Sequence, residues 1–279
     1  MNIKVFCDSA DHKIIKKFSK NNLVKGFTTN PSLMRNAGAK NYKKYSIQLL
    51  KVSNNKPISF EVFSDNYNHM LKQANKISSW GKNVYVKIPV INSNNIFMGK
   101  IIKELNQENI KINITAVYSF AQIKKILKLI NKKTKVIISI FAGRAGDTGK
   151  DPIPEFKKSI QLAKKFKNVE TLWASVREPY NYLQAKQLGC QIITVPPSII
   201  VASDIDLMIR FLEINKIKTK YVSEIWVKMR LGGTTNKSLK NIYIQNQEIL
   251  KSFREQGLYV NTIIFFINKF INRLIQFLR

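Results

Sequence analysis

Acidic side chains are scarce in this chain: 17 Asp and Glu stand against 47 Lys and Arg, for a formal net charge of +30. An excess of that size favours anionic, phosphate-bearing ligands and on its own invites a nucleic-acid reading. The lysines argue against the latter, because they are spread over the whole chain and come with abundant Asn and Ile, the mix expected of an A/T-biased coding sequence. No specific nucleic-acid partner is therefore expected. Cysteine is nearly absent. Cys7 and Cys190 sit in apolar, strand-like runs with no metal-ligand spacing, so no metal site is expected and a reducing cytoplasm fits. The N-terminus lacks the long apolar core of a signal peptide, and no uncharged run reaches transmembrane length. A glycine-rich turn after the first strand is also missing, which counts against a doubly wound dinucleotide-binding sheet.

What is present is alternation. Short apolar strand candidates lie at Lys4–Asp8, Val24–Thr28, Ile58–Phe63, Val84–Val90, Lys111–Val117, Lys135–Phe141, Thr171–Val176 and Gln191–Val195. Between them run helix-like stretches, among them Asn66–Trp80, Ser119–Asn131, Pro152–Phe166 and Pro179–Leu188. Two of these begin with proline, which suits a first helical turn. Ser119, three residues before Gln122, has the spacing of a capping box. Eight strands in strict β-then-α order predict an α/β fold, the closed parallel (β/α)8 TIM barrel.

The period of two within these strands carries the functional reading. Near the C-terminal strand ends one parity is polar: Asp8 shares a face with Phe6, Thr28 with Asn30, Ser59 with Glu61, Asn113 with Thr115, Ser139 with Phe141, and Ser175 with Arg177. The other parity (Val62, Val86, Ile88, Ile112, Ile114, Ile138, Ile140) suits burial beneath helices. In a barrel the polar parity converges on the C-terminal mouth, where barrel enzymes keep their active sites. Lys87, in Val84–Val90, shares a face with Tyr85. A lysine so placed is costly unless partnered or neutral, and a neutral lysine is a nucleophile for carbonyl carbons. His12 and His69 fall on helix-like surface stretches and carry no expected role.

These residues resemble the transaldolases in order and spacing. The resemblance rests on Asp8 in FCDSA, the Gly26–Leu33 run GFTTNPSL, Glu61 in SFEVF, Lys87 in VKIP, and Asn113 and Thr115 in INITAVYSFAQ. It extends through Ser139–Arg144 (SIFAGR), Ala174–Arg177 (ASVR) and Thr194–Pro197 (TVPP), covering about residues 1–200. It implies a class I Schiff-base transferase of carbohydrate metabolism, in the non-oxidative pentose phosphate pathway, with neither metal nor organic cofactor. It also implies sugar-phosphate substrates and transfer of a dihydroxyacetone unit. Lys87 would attack the C2 carbonyl of a ketose phosphate, Asp8 would serve as general base on the C4 hydroxyl, and Glu61 and Thr115 would position the water lost and regained. Asn30, Asn113 and Ser175 would hold hydroxyls, with Thr28 supporting Asp8. Ser139 and Phe141 would form pocket wall, and Arg144 and Arg177 would clamp the phosphate. Relatives that act as fructose-6-phosphate aldolases tend to carry Gln in place of Glu61 and Tyr in place of Phe141, so transfer is expected over simple cleavage.

Past Pro197 the pattern changes. Asp204–Glu213, and the run from Lys228 to Asn241 after a strand candidate at Tyr221–Val227, resemble the C-terminal end of family 2 glycosyltransferases. The nucleotide-sugar half of that fold is missing, so glycosyl transfer is not inferred. The expected organisation is a barrel over 1–200 and a mostly helical extension over 201–279. A fused reading frame is the simplest account of that extension, and a catalytically impaired barrel is its alternative consequence. Lys237–Gln256 reads as one helix stopped by Gly257. The stretch 260–278, rich in Ile and Phe with interspersed polar residues, is a candidate for peripheral contact with an anionic membrane, although packing against protein is favoured. A homo-oligomer is the expected assembly.

Overall fold

A computed structural model describes residues 3–201 together with Asn261, Thr262 and Phe266. The readings of Asp204–Glu213, Tyr221–Val227, Lys228–Asn241 and Lys237–Gln256, the domain boundary's far side and the membrane-contact stretch 260–278 otherwise lie outside the described residues. Eight parallel strands close into a barrel in sequence order. They are β1 (Lys4–Asp8), β2 (Val24–Thr28), β3 (Ile58–Glu61), β4 (Val84–Pro89), β5 (Ile112–Val117), β6 (Val136–Phe141), β7 (Val169–Ala174) and β8 (Ile192–Val195). The helices are α1 (His12–Ser19), α2 (Pro31–Asn36), α3 (Tyr42–Val52), α4 (Tyr67–Ser78), α5 (Gly99–Gln107), α6 (Phe120–Leu127), α7 (Ala142–Asp147), α8 (Ile153–Ala163), α9 (Tyr180–Leu188) and α10 (Pro197–Val201). The expected (β/α)8 architecture is thus the observed one. Among the described residues no helix is long and apolar enough to cross a membrane.

Local chemistry explains the boundaries. Asp11, Asn30, Asn41 and Asn66 each cap a helix by accepting a backbone N–H through the side chain, satisfying donors that a helix start leaves free. Ser119 and Gln122 form the complete capping box at α6. Gly189 ends α9 in the left-handed region at φ 74°, where a side chain would be strained. His12 and His69 are exposed on α1 and α4.

Two separate apolar bodies follow from the alternation. Outward-facing Val62, Val86, Ile88, Ile112, Ile114, Ile138 and Ile140 are buried beneath the helix ring, each contributing roughly 1.5–3 kcal/mol by burial. Inward-facing Phe6, Tyr85, Ile137, Leu172, Ala174 and Ile192 form a plug inside the barrel, with Phe141 packed at its edge. Phe6 fits because β2 offers Gly26 beside it: a Cβ there would stand 2.6 Å from the Phe6 ring.

Strand bounds differ from expectation at β3, which ends at Glu61 rather than Phe63, and most consequentially at β7. β7 runs Val169–Ala174 rather than Thr171–Val176, and its inward parity is that of Leu172 and Ala174. Trp173, two residues before Ser175, faces outward and stacks on Phe156 at 4.6 Å. Ser175 therefore does not reach the mouth by strand alternation. Its backbone turns into the left-handed region at φ 66° immediately after the strand, and that turn redirects it.

Candidate active site

The C-terminal strand ends enclose a cavity of about 190 Å³ lined by Asp8, Thr28, Asn30, Lys87, Thr115, Ser139, Phe141, Arg144, Ala174, Ser175, Arg177 and Thr194. Plug residues lie beneath it. Most residues singled out from the sequence are brought together here. Glu61 and Asn113 are not on the wall itself; both support groups that are.

Lys87 is 7% exposed. Its Nζ lies 3.0 Å from Glu61 Oε2 and donates to the Thr29 carbonyl at 3.1 Å. The pairing follows from sheet register, since Glu61 stands directly opposite Lys87 across β3 and β4. The Glu61 backbone is held in turn: the Tyr42 hydroxyl donates to its carbonyl at 2.9 Å, and its N–H reaches the Tyr42 oxygen at 3.0 Å. Burial and a carboxylate at hydrogen-bond distance thus meet at this amine.

Asp8 accepts from the Thr28 hydroxyl at 2.6 Å. Burial pushes its carboxyl above the ordinary carboxylate range. The Lys87 charge and the Thr28 hydrogen bond pull it down, while Glu61 pushes it up. Asp8 and Lys87 are therefore electrostatically coupled across the cavity. Cys7, its chain neighbour, faces the outer core; burial, with Asp8 second, pushes that thiol up to about 12, leaving it no role as a thiolate.

The remaining polar groups divide by whether they are already engaged. Asn113 is fully buried; its Nδ2 donates to Ser59 Oγ at 3.0 Å and its Oδ1 accepts from Ser139 Oγ at 2.7 Å. Asn30 uses Oδ1 to cap α2 at Leu33, while its amide nitrogen remains available at the wall. The Thr115 hydroxyl is buried without a partner among the described residues, which in a polar pocket marks a place for a water or a substrate oxygen. Arg144 lies over the Phe141 ring at 5.0 Å, and Tyr118 meets that ring edge-on at 5.7 Å. Arg177 is bidentate to Asp147, at 3.1 Å through Nε and 2.5 Å through Nη2.

Two contributors were not anticipated as site residues. Thr194 lines the cavity, and its Oγ1 is 2.5 Å from that of Thr28; the signal available was its parity, two residues beyond Ile192. Gly143 permits the close approach of α7 and the β7 end, because a Cβ there would lie 1.7 Å from the Ser175 carbonyl oxygen.

Chemically, the arrangement offers a buried amine paired with a carboxylate, a second carboxyl held above the ordinary carboxylate range by burial, hydroxyl and amide groups on the wall, and two guanidinium groups among the lining. Residues 5–259 match the family described as Transaldolase/Fructose-6-phosphate aldolase. A probable transaldolase of Thermoplasma volcanium is 31% identical over 241 residues, covering 83% of this chain and 98% of that protein. Probable transaldolases of Nitrosopumilus maritimus (32% over 200 residues, 71% of this chain, 86% of that protein) and Clostridium kluyveri (33% over 201 residues, 71% and 88%) are similar. Among solved structures, native KDPGal aligns with a TM-score of 0.51 at 9% identity, over 78% of this chain and 98% of that one. Thiamine phosphate pyrophosphorylase from Pyrococcus furiosus aligns at 0.50 and 11%, over 73% and 90%. At such identities these two speak for the fold alone.

Proposed function

The chain belongs to the transaldolase/fructose-6-phosphate aldolase family, and on that premise we propose that it transfers a dihydroxyacetone unit from a ketose phosphate to an aldose phosphate through an imine on Lys87. The observation that carries this reading is the buried Lys87 Nζ, 3.0 Å from the Glu61 carboxylate, in a cavity it shares with Asp8.

Glu61 accepts the proton that Lys87 must release before its nitrogen attacks C2 of the ketose. Glu61 returns that proton to the carbinolamine hydroxyl, which departs as water, with the Thr115 hydroxyl, which has no partner among the described residues, beside the departing oxygen. Asp8 takes the C4 hydroxyl proton, the C3–C4 bond breaks, and its electron pair becomes the enamine conjugated to the Lys87 nitrogen. The aldose phosphate leaves. C3 of the enamine attacks the aldehyde of the acceptor, Asp8 returns its proton to the new alkoxide, and water hydrolyses the imine to free Lys87. Arg144 and Arg177 bind the phosphates at the rim.

Phe141 supports transfer over cleavage, because its ring brings no hydroxyl to the cavity wall to protonate the enamine. The decisive experiment is borohydride reduction with fructose 6-phosphate followed by peptide mapping. A three-carbon adduct on Lys87 is expected, and its absence from a folded protein refutes the mechanism. Incubation with fructose 6-phosphate, with and without erythrose 4-phosphate, separates the two activities: rapid release of free dihydroxyacetone without acceptor would establish cleavage instead.

A further inference from the structure

At the opposite, N-terminal mouth of the barrel lies a larger cavity, about 720 Å³, lined by residues that precede or open β3, β4, β5 and β6 and by the end of α3. Its size is that of a small-molecule site. Lys51, Lys82, Lys111 and Lys135 line it, and among the described residues no Asp or Glu does. The carboxylate whose charge reaches Tyr85 is Glu170, and that is already paired with Lys4 at 2.6 Å.

Charge in this cavity is one-sided. Besides four ammonium groups, the lining holds Tyr85, whose side chain is 6% exposed and whose hydroxyl has no partner among the described residues. Burial, with Glu170 second, pushes that phenol up to about 12, so it remains a donor at neutral pH. Asn83 spends its amide nitrogen on Ser53 and the Lys56 carbonyl. Lys111 lies over the Tyr85 ring at 5.4 Å and donates to the Lys82 carbonyl. Burial, then the neighbouring Lys135, holds its ammonium below the ordinary lysine value. Like charges and the Tyr85 hydroxyl line one concave space, and a ligand rich in anionic acceptors would satisfy both.

We propose that this N-terminal cavity is a second binding site, for a small molecule bearing two or more phosphate groups, with Lys111, Lys135, Lys82 and the Tyr85 hydroxyl as its donors. The site is independent of the chemistry at Lys87, although Tyr85 stands two residues before it on the same face of β4. The cavity is an open concavity of about 720 Å³, the size of a small ligand rather than of an extended nucleic acid.

The test is calorimetric titration of the full chain with inorganic pyrophosphate at low ionic strength. Saturable binding is expected, with a dissociation constant raised roughly tenfold or more in the double variant Lys111→Met/Lys135→Met and about fivefold in Tyr85→Phe. The variant Lys157→Met/Lys158→Met removes the same charge from the exposed face of α8 and should bind as the parent does. Arg177→Gln, which weakens phosphate binding at the other mouth, should also retain the site. No saturable binding, equal losses in the α8 control, or complete loss in Arg177→Gln would each overturn the proposal. So would a short single-stranded oligonucleotide that binds with the same lysine dependence where pyrophosphate does not.

Discussion

The hydroxyl oxygen of Thr194 lies 2.5 Å from that of Thr28. Because Thr28 gives its proton to Asp8 at 2.6 Å, Thr194 must be the donor in that contact, and a three-membered chain runs from β8 through β2 to the carboxyl on β1. Such a chain polarises each bond along it. Replacing Thr194 with Val should weaken the Thr28 bond that holds the Asp8 carboxyl down. The acidic limb of the pH–rate profile should then move to higher pH, and kcat/KM should fall about fivefold, the equivalent of one net hydrogen bond. Thr194→Ser should restore both; an unshifted profile in the Val variant would mean that Thr194 only fills space.

Asp8 also yields a stability prediction. Burial raises its carboxyl above the ordinary range despite Lys87 and Thr28, so the folded chain holds this proton more tightly than the unfolded one. The sign follows from linkage: stability falls as pH rises from the ordinary carboxylate value, about 3.9, through the raised folded value, and the penalty is complete above it. Asp8→Asn keeps an acceptor for Thr28 and removes the buried charge. It should raise Tm at neutral pH, lose that advantage below the ordinary carboxylate range, and lower turnover by about 10²–10⁴-fold. Melting curves across pH, with transferase assays, check both halves.

Asp147 occupies the guanidinium that the sugar phosphate would need. The pair is bidentate but half-exposed on both sides, a setting in which an ion pair is worth about 0.2–1 kcal/mol. Relieving that competition with Asp147→Asn should lower KM for the phosphorylated substrate by roughly two- to fivefold, with kcat nearly unchanged. Steady-state kinetics with phosphorylated and unphosphorylated ketoses separate the effect, since the unphosphorylated substrate should not respond.

Gly143 should not tolerate even a methyl group. The obstacle is backbone, the Ser175 carbonyl oxygen at 1.7 Å from the added carbon, so no side-chain rotation relieves it. Gly143→Ala is expected to destabilise the protein by about 1–3 kcal/mol and to displace Ser175 from the cavity wall. Denaturant unfolding measures the first effect and imine trapping with fructose 6-phosphate the second.

Much of this was legible from side-chain period alone. Strand positions and the inward parity of Asp8, Lys87 and Ser139 follow from alternation, because an apolar residue beneath a helix and a polar one at a barrel mouth leave opposite marks on a strand. Ser175 was placed on the right wall for the wrong reason: alternation ends at Ala174, and a positive φ, which carries no signature in a serine, turns the chain. The engagement of Asn113 by Ser59 and Ser139 could not be read either, since it depends on cross-barrel distances between β3, β5 and β6. The same holds for Asp147 on Arg177, where residues far apart in sequence meet only through helix placement.

The aromatic plug built on Phe6 and Gly26 has a consequence for the traffic of water. With that ring pressed against bare backbone and Ile137, Leu172 and Ile192 buried beside it, apolar side chains fill the barrel interior beneath the upper chamber. On the proposed chemistry, hydrons exchanged during turnover should enter and leave by the same opening as the sugar, so that a bound substrate would act as the stopper of its own reaction vessel.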